Sequence, residues 1–378
     1  METLKQLGGR LKVELKTWST AVMAKEADRR GLSVKQGQTQ RAIVIESADG
    51  RKIVFRNGWT SWNTLLARRV LRNKEATAAL LSAASVEVPE GHVFKKGEAT
   101  RAWQFARDWD RSVVKPVDSR QGIDVYVGLG DEEIFRAAFD RVAEKHGKVL
   151  VQEHVSGLER RYLVADDKVV AVSERRPASV LGDGTSTIQE LVDAKNASRP
   201  LIHEPVPLDE QALSLLRLEG KDAESVPAAG ERVFLRGILT ADQKDPNVAP
   251  DEETTVEERL LLAEARPIDE GGDFIDRTAE ACPEAIGAAE AATQAIHGAR
   301  LVGLDLIEPS DSNRGPTIIE INSSPLLASH YFPAEGPVRD VAKDIVEAMF
   351  PTDPETSEET AEPDDTWRGR FKVRSGRK

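Results

Sequence analysis

Residues 301–308, LVGLDLIE, and 316–325, PTIIEINSSP, set acidic side chains on apolar, β-branched runs. Such runs read as buried strands. In the second, the period-2 pleat puts Glu320 and Asn322 on one face while Ile319 and Ile321 point to the other, so two oxygen ligands stand side by side. Asp305, in the first run, offers a third. Burying carboxylates without compensation is costly, and a hard divalent cation held by oxygens supplies the compensation. The competing account pairs these acids with arginines. The neutral Asn322 oxygen favours the metal, since a salt bridge has no use for it. Asp305, Glu320 and Asn322 are therefore expected to hold magnesium. That ion keeps several waters and is usually bound by one or two carboxylates plus substrate phosphates, so the site implies a nucleotide.

A nucleotide needs cations for its phosphates. Val113-Val114-Lys115-Pro116 ends a buried strand in a lysine, which points a fixed ammonium at the mouth of a sheet. Val149 to Val155, VLVQEHV, is an apolar strand interrupted at Glu153, which suits a hinge whose main chain pairs with an adenine edge while Val155 packs on the ring. The plainer account is a strand with one solvent-facing acid. Glu159, just beyond Gly157, is placed to accept from ribose hydroxyls. Arg161 and Arg175 flank a hairpin and are suited to phosphate as fork-shaped donors.

Composition sets the outer limits. A chain of 378 residues exceeds one compact core and implies two or three domains. With 52 basic and 64 acidic residues the net charge is −12, which argues against nucleic acid as a partner. The single cysteine, Cys282, permits neither an internal disulfide nor a thiolate zinc cluster; it fits a reducing cytoplasm, as a small buried or half-buried residue. No signal-peptide core opens the chain, and no apolar run reaches the roughly 18 residues of a membrane span. The expectation is a soluble, cytoplasmic protein without membrane contact.

Four segments follow from the patterning. Residues 1–72 form a small N-terminal unit, with a helix over 21–30 closed by Gly31 and strands over 41–45 and 52–55 about the turn Asp49-Gly50. Residues 73–155 begin with a helix over 73–84, then give strands over 111–115 and 124–129, a helix capped by Asp131, and the strand over 149–155: a lid-like unit. Residues 156–350 open with a hairpin, 162–165 and 169–175, and a helix whose Ser186 and Gln189 have capping-box spacing. Within them, residues 240–272 are rich in Asp, Glu and Pro, with a helical run over 256–266, and read as an exposed insertion; 337–350 read as a closing helix. Residues 351–378, acidic and then basic, read as a disordered tail. His330 and Tyr331 adjoin the second acidic strand, where packing is the expected role.

Taken in order, NKEATAALLSAASVEVPEG (73–91), VVKP (113–116), VQEHVSGLERRYLV (151–164), VLGDGTSTIQELVDAKN (180–196), SVPAAGERVFLR (225–236), GGDFID (271–276), VGLDLIE and IIEINSSP resemble the ATP-grasp superfamily. Within it the likeness is to the ATP-grasp region of cyanophycin synthetases, with glutathione synthetase-like and D-alanine-D-alanine ligase-like enzymes as further members. The resemblance implies an α+β, ATP-grasp fold: a small N-terminal α/β domain, a lid subdomain, and a C-terminal antiparallel-sheet subdomain holding the metal site. It implies an ADP-forming carboxylate-amine ligase in which ATP phosphorylates a carboxylate of an amino acid or peptide and an amine attacks the acyl phosphate. Lys115 and Lys74 would contact the phosphates, Glu153 and Val155 would form the adenine hinge, and Glu159 would hold the ribose. Asp305, Glu320 and Asn322 would carry two magnesium ions, and Arg175 would stabilise the acyl phosphate or tetrahedral intermediate. The family is commonly homo-oligomeric.

Three departures shape the expectation. The loop after Lys115-Pro116 reads Asp118-Ser119-Arg120-Gln121-Gly122, poorer in glycine than in cyanophycin synthetases, so fewer backbone amides can wrap phosphates. Gly237-Ile238-Leu239-Thr240 replaces an Asn-rich stretch. The domain that adds the second amino acid in cyanophycin synthesis has no counterpart in these residues, so the expectation is a stand-alone ligase making one amide bond. The alternatives are a non-catalytic ATP-binding sensor or scaffold, and a ligase that adds amino acids to a protein or peptide terminus.

Overall fold

The computed structural model describes residues 2–39, 41–118, 123–236, 255–265, 270–309 and 314–351. Most of the glycine-poor loop, the Gly237–Thr240 replacement, much of the 240–272 insertion and the tail beyond Pro351 lie outside them.

Helices α1 (Leu4–Leu11) and α2 (Trp18–Arg29) precede an antiparallel meander, sheet I, of β1 (Ser33–Gln36), β2 (Ile43–Glu46), β3 (Lys52–Arg56) and β4 (Trp59–Thr60). After α3 (Leu65–Leu71) and α4 (Lys74–Ala83) come β5 (Gly91–Lys95), α5 (Ala99–Ala106), β6 (Ser112–Pro116), β7 (Val125–Leu129), α6 (Glu132–His146) and β8 (Lys148–Glu153). Then follow β9 (Gly157–Ala165), β10 (Lys168–Arg176), β11 (Ser179–Leu181), α7 (Ile188–Ser198), α8 (Glu210–Leu218), β12 (Arg232–Phe234), α9 (Val256–Ala263) and β13 (Glu264–Ala265). The last elements are β14 (Asp273–Asp276), α10 (Pro283–Ala295), β15 (Leu301–Pro309), β16 (Thr317–Asn322) and α11 (Val341–Met349). Sheet II has the order β13-β7-β6-β8-β5 and sheet III the order β14-β10-β9-β15-β16, with every pairing antiparallel. Mixed helix with antiparallel sheet is the α+β class expected from the sequence.

Alternation along the strands of sheet III sorts its two faces. Tyr162, Val164, Val172, Val302, Leu304 and Leu306 pack on the small side chains of α10, Ala285, Ala289 and Ala292. Leu163, Ala165, Ala171 and Leu301 face the other way, into a core shared with α2, α11 and sheet I. Glu159 and Arg161 have the same parity as Leu163 and Ala165, so this second face changes along each strand from apolar and covered to charged. In sheet II, Phe94, Val114, Tyr126, Val149 and Val151 pack under α5 and α6, which turns Val113, Lys115, Leu150 and Gln152 to the opposite face.

Three local expectations are corrected. A β-bulge in β16 sets Asp305 against Glu320 but Leu306 against Ile318, leaving Ile319 as the extra residue. Ile318, at 2% exposure, therefore joins Ile321, at 3%, in the core, and Ile319 does not. The capping box of α7 lies one residue later than expected, at Thr187 and Glu190, because Asp183 has taken Ser186: its carboxylate accepts from the Ser186 amide at 2.7 Å and hydroxyl at 2.8 Å. The described part of the insertion is not an exposed excursion. Leu260 and Ala263 of α9 are buried in the core of sheet II, and β13 extends that sheet beside β7.

The Gly182-Asp183-Gly184 stretch is explained by its contact with 227–231. Gly182 exchanges hydrogen bonds with Glu231 (2.7 Å) and Gly230 (2.9 Å), and an added Cβ would stand 2.2 Å from the Ala228 carbonyl oxygen. We expect Gly182→Ala to destabilise by about 1–3 kcal/mol through this overpacking, read as a lowered urea midpoint with an unchanged slope.

Candidate nucleotide and metal site

Asp305 occupies the middle of β15, in register with Arg161 on one side and Glu320 on the other. It is 3% exposed. Arg161 grips it with both arms, Nε to Oδ1 at 2.7 Å and Nη2 to Oδ2 at 2.6 Å. Arg175 reaches the same carboxylate at 3.2 Å and donates to Glu159 at 2.5 Å. From the N-terminus of α4, where Asn73 caps the helix, Lys74 approaches Glu320 at 3.4 Å. Burial pushes the Asp305 carboxyl up, but Arg161 and Arg175 outweigh it and hold the group below its usual range. Burial pulls Arg175 down, while Asp305 and Glu159 more than reverse this.

Lys115 enters from the other side. It is 9% exposed at the end of β6, on the face of sheet II turned away from α6. Burial first, and then the charge of Lys74, pull its ammonium down to about 8, against opposing pulls from Glu320, Glu159 and Asp305. Lys74, Lys115, Arg161, Arg175, Glu159, Asp305 and Glu320 thus form one cluster drawn from both sheets and α4. Asn322 lies at the end of β16, in register with Gly303 and of the same parity as Glu320.

The hinge residues have other partners. Val155 is buried at 6% exposure. The Glu153 carboxylate accepts from Arg314 at 3.0 and 2.5 Å and from the Glu90 amide at 2.8 Å. The Glu153 and His154 amides donate to the carbonyls of Glu90 and Arg111. A cavity of about 690 Å³ runs between α4 and sheet II; Lys74, Ala78, Val93, Leu150, Glu153 and Arg314 are among its walls. Sequence patterning missed Arg314, because a lone arginine in a polar connection carries no periodic signal.

Other residues resolve into packing. His330 is buried, and burial pulls its imidazole down to about 4, so it is neutral. The Tyr331 hydroxyl donates to Asp340 and accepts from the Ala342 amide at 2.9 Å. Cys282 is half-buried and caps α10, its Sγ accepting from the Ala285 amide.

Among the described residues no group of three His, Cys, Asp or Glu side chains gathers in metal-binding geometry. The carboxylates meet cations instead, as the competing account of the sequence anticipated. Chemically the donor set still fits a metal-bound polyphosphate: four cations that a phosphate chain would engage, two carboxylates that such engagement would release, and the amide oxygen of Asn322 on the parity of Glu320.

No family model matches the chain. It is 29% identical over 346 residues to the cyanophycin synthetase of Trichormus variabilis, covering 89% of this chain and 35% of that protein. It is 27% identical over 349 residues to the glutathione biosynthesis bifunctional protein GshAB of Clostridium perfringens, covering 88% and 41%. The chain thus spans well under half the length of these relatives. Among solved structures, a bifunctional glutathione synthetase from Pasteurella multocida superposes with a TM-score of 0.61 at 24% identity, over 88% of this chain and 44% of that one, a likeness of fold. No helix among the described residues is long and apolar enough to cross a membrane.

Proposed function

We propose that this chain, which belongs to the ATP-grasp superfamily, is an ATP-dependent, ADP-forming carboxylate-amine ligase acting on an amino acid or short peptide. The observation that carries this reading is the facing of Lys115 and Lys74 onto the Arg161, Arg175, Asp305 and Glu320 face of sheet III. Sheet II serves as the lid and sheet III as the floor, with α4 beside the floor, its Leu81 in the core that sheet III shares with α10. Lys115 orients the phosphates from above and Lys74 from the N-terminus of α4. Arg161 and Arg175 do so from below, and Arg175 also balances the negative charge that develops as the amine attacks the acyl phosphate. Glu159 binds the ribose, and the main chain at Glu153 to Val155 borders the adenine. Asp305, Glu320 and Asn322 would hold two magnesium ions, which when bound supply charge neutralisation to the transferred phosphoryl group. The protein's contribution is positioning and electrostatics.

ADP release that requires magnesium, a carboxylate and an amine together, across an amino-acid panel, is the expected result. Tight binding of ATP with no turnover over that panel would replace the ligase with a sensor. Intact-mass analysis of partner proteins incubated with ATP and glutamate distinguishes a ligase acting on protein termini.

The lowered Lys115 gives a pH test. Burial, and then the charge of Lys74, pull its ammonium down to about 8 from the ordinary 10.5. Bound phosphates favour the charged form, so binding at pH values above 8 should take up a proton, and affinity should fall as pH rises from there. The sign for stability is opposite: the fold disfavours the charged form, so this penalty is full below about pH 8 and vanishes by about 10.5. Calorimetric titration with AMP-PNP in two buffers of different ionisation enthalpy reads the uptake. It should be absent in Lys115→Met.

A further inference from the structure

Sheet II joins the rest of the chain, among the described residues, through two crossings: 84–90, which leads from α4 into β5, and 153–156, which leads from the last residue of β8 into β9. Both crossings meet at one guanidinium. Arg314, just ahead of β16, places Nη1 3.0 Å and Nη2 2.5 Å from the two oxygens of Glu153, and Nη2 3.4 Å from Glu87. Its Nε donates to Thr317 Oγ1 of β16 at 3.3 Å, so the same side chain is tied to sheet III.

The crossings are stitched to each other at this point. The Glu90 amide donates to the Glu153 carboxylate at 2.8 Å, and the Glu153 amide donates to the Glu90 carbonyl at 2.9 Å. Glu87 is stitched to β16 as well, its carbonyl accepting from the Ile318 amide at 2.9 Å. The Arg314 and Glu153 side chains are 25% and 20% exposed, so water screens their pair less than it does a surface pair. A two-armed guanidinium contact also fixes direction as well as distance.

We propose that Arg314 is the hinge pin of the protein, a positioning residue that fixes sheet II over sheet III by clamping both crossings at once. Rotation of sheet II about 84–90 and 153–156 changes the gap between Lys115 and Asp305, and Arg314 sets its resting value. The consequence for nucleotide rests on the function proposed above. The clamp does not.

The test uses the full chain with Arg314→Met, Arg314→Lys and the exchanged pair Glu153→Arg with Arg314→Glu. Without nucleotide, amide hydrogen exchange at 87–91 and 150–154 should accelerate about tenfold in Arg314→Met, less in Arg314→Lys, and return toward wild type in the exchanged pair. With ATP, Arg314→Met should raise KM about five- to tenfold while kcat stays within about twofold, the pattern of lost binding and not of lost chemistry. Unchanged exchange in Arg314→Met, or an exchanged pair no better than the single variants, overturns the pin. If exchange accelerates as expected but even the wild type fails to bind AMP-PNP, the pin stands and the nucleotide reading falls.

Discussion

Lys115→Met is expected to lower kcat by about 10²–10³-fold, the usual cost of removing one preorganised charge-stabilising donor, without lowering stability at pH 7. These outcomes go together because of where the residue sits. Lys115 is nearly buried, and burial together with Lys74 already presses its ammonium toward the neutral form. The fold therefore bears a cost for keeping it charged, and methionine, similar in length and apolar, removes that cost. A structural lysine would behave in the opposite way, its loss leaving nearby acids without a partner. Here Glu320 keeps Lys74, Glu159 keeps Arg175 and Asp305 keeps Arg161. ADP release and a thermal unfolding curve on the same preparation decide the matter; wild-type turnover would remove Lys115 from the site.

The residues most visible in the sequence were those whose chemistry conflicts with their surroundings. Asp305 and Glu320 stand out because acids are rare on apolar, β-branched strands, and Lys115 because it ends one. Strand alternation then brought Arg161 and Asp305 to one face, since cross-strand partners share a face. Features that depend on the other chain segments were not legible. The bulge at Ile319 arises from the register between β15 and β16, which no single run specifies. The burial of α9 depends on sheet II offering it a groove, and its acid-rich flanks suggested exposure. The Gly-Asp-Gly stretch near 182, within the 180–196 motif, turns its carboxylate inward on its own loop, accepting from Thr185 and Ser186. Arg314 was silent because its meaning lies mainly in contacts with Glu87 and Glu153, more than 150 residues away in sequence.

Asp305→Ala should produce the second large effect, and with the opposite stability signature. Removing this carboxylate leaves Arg161 and Arg175 facing each other at the centre of sheet III without their shared counter-charge. Breaking a buried pair by deleting one partner costs about 3–5 kcal/mol, so unfolding should occur at markedly lower urea, with ADP release abolished. The carboxyl is held below 3.8 in the folded protein, so its stabilisation is complete above that value and is lost only as pH falls through the folded pKa. The deficit of the variant should therefore be flat from neutral pH to about 5 and shrink in stronger acid. Stability and chemistry are separated by replacing the pair as a unit. Asp305→Leu with Arg161→Met substitutes apolar volume for two charges, and such replacements are often neutral or stabilising. Recovery of the urea midpoint in the double variant without recovery of turnover would assign the Asp305–Arg161 pair to the site. Recovery of both would reduce it to a structural ion pair, and the metal would have to be held elsewhere.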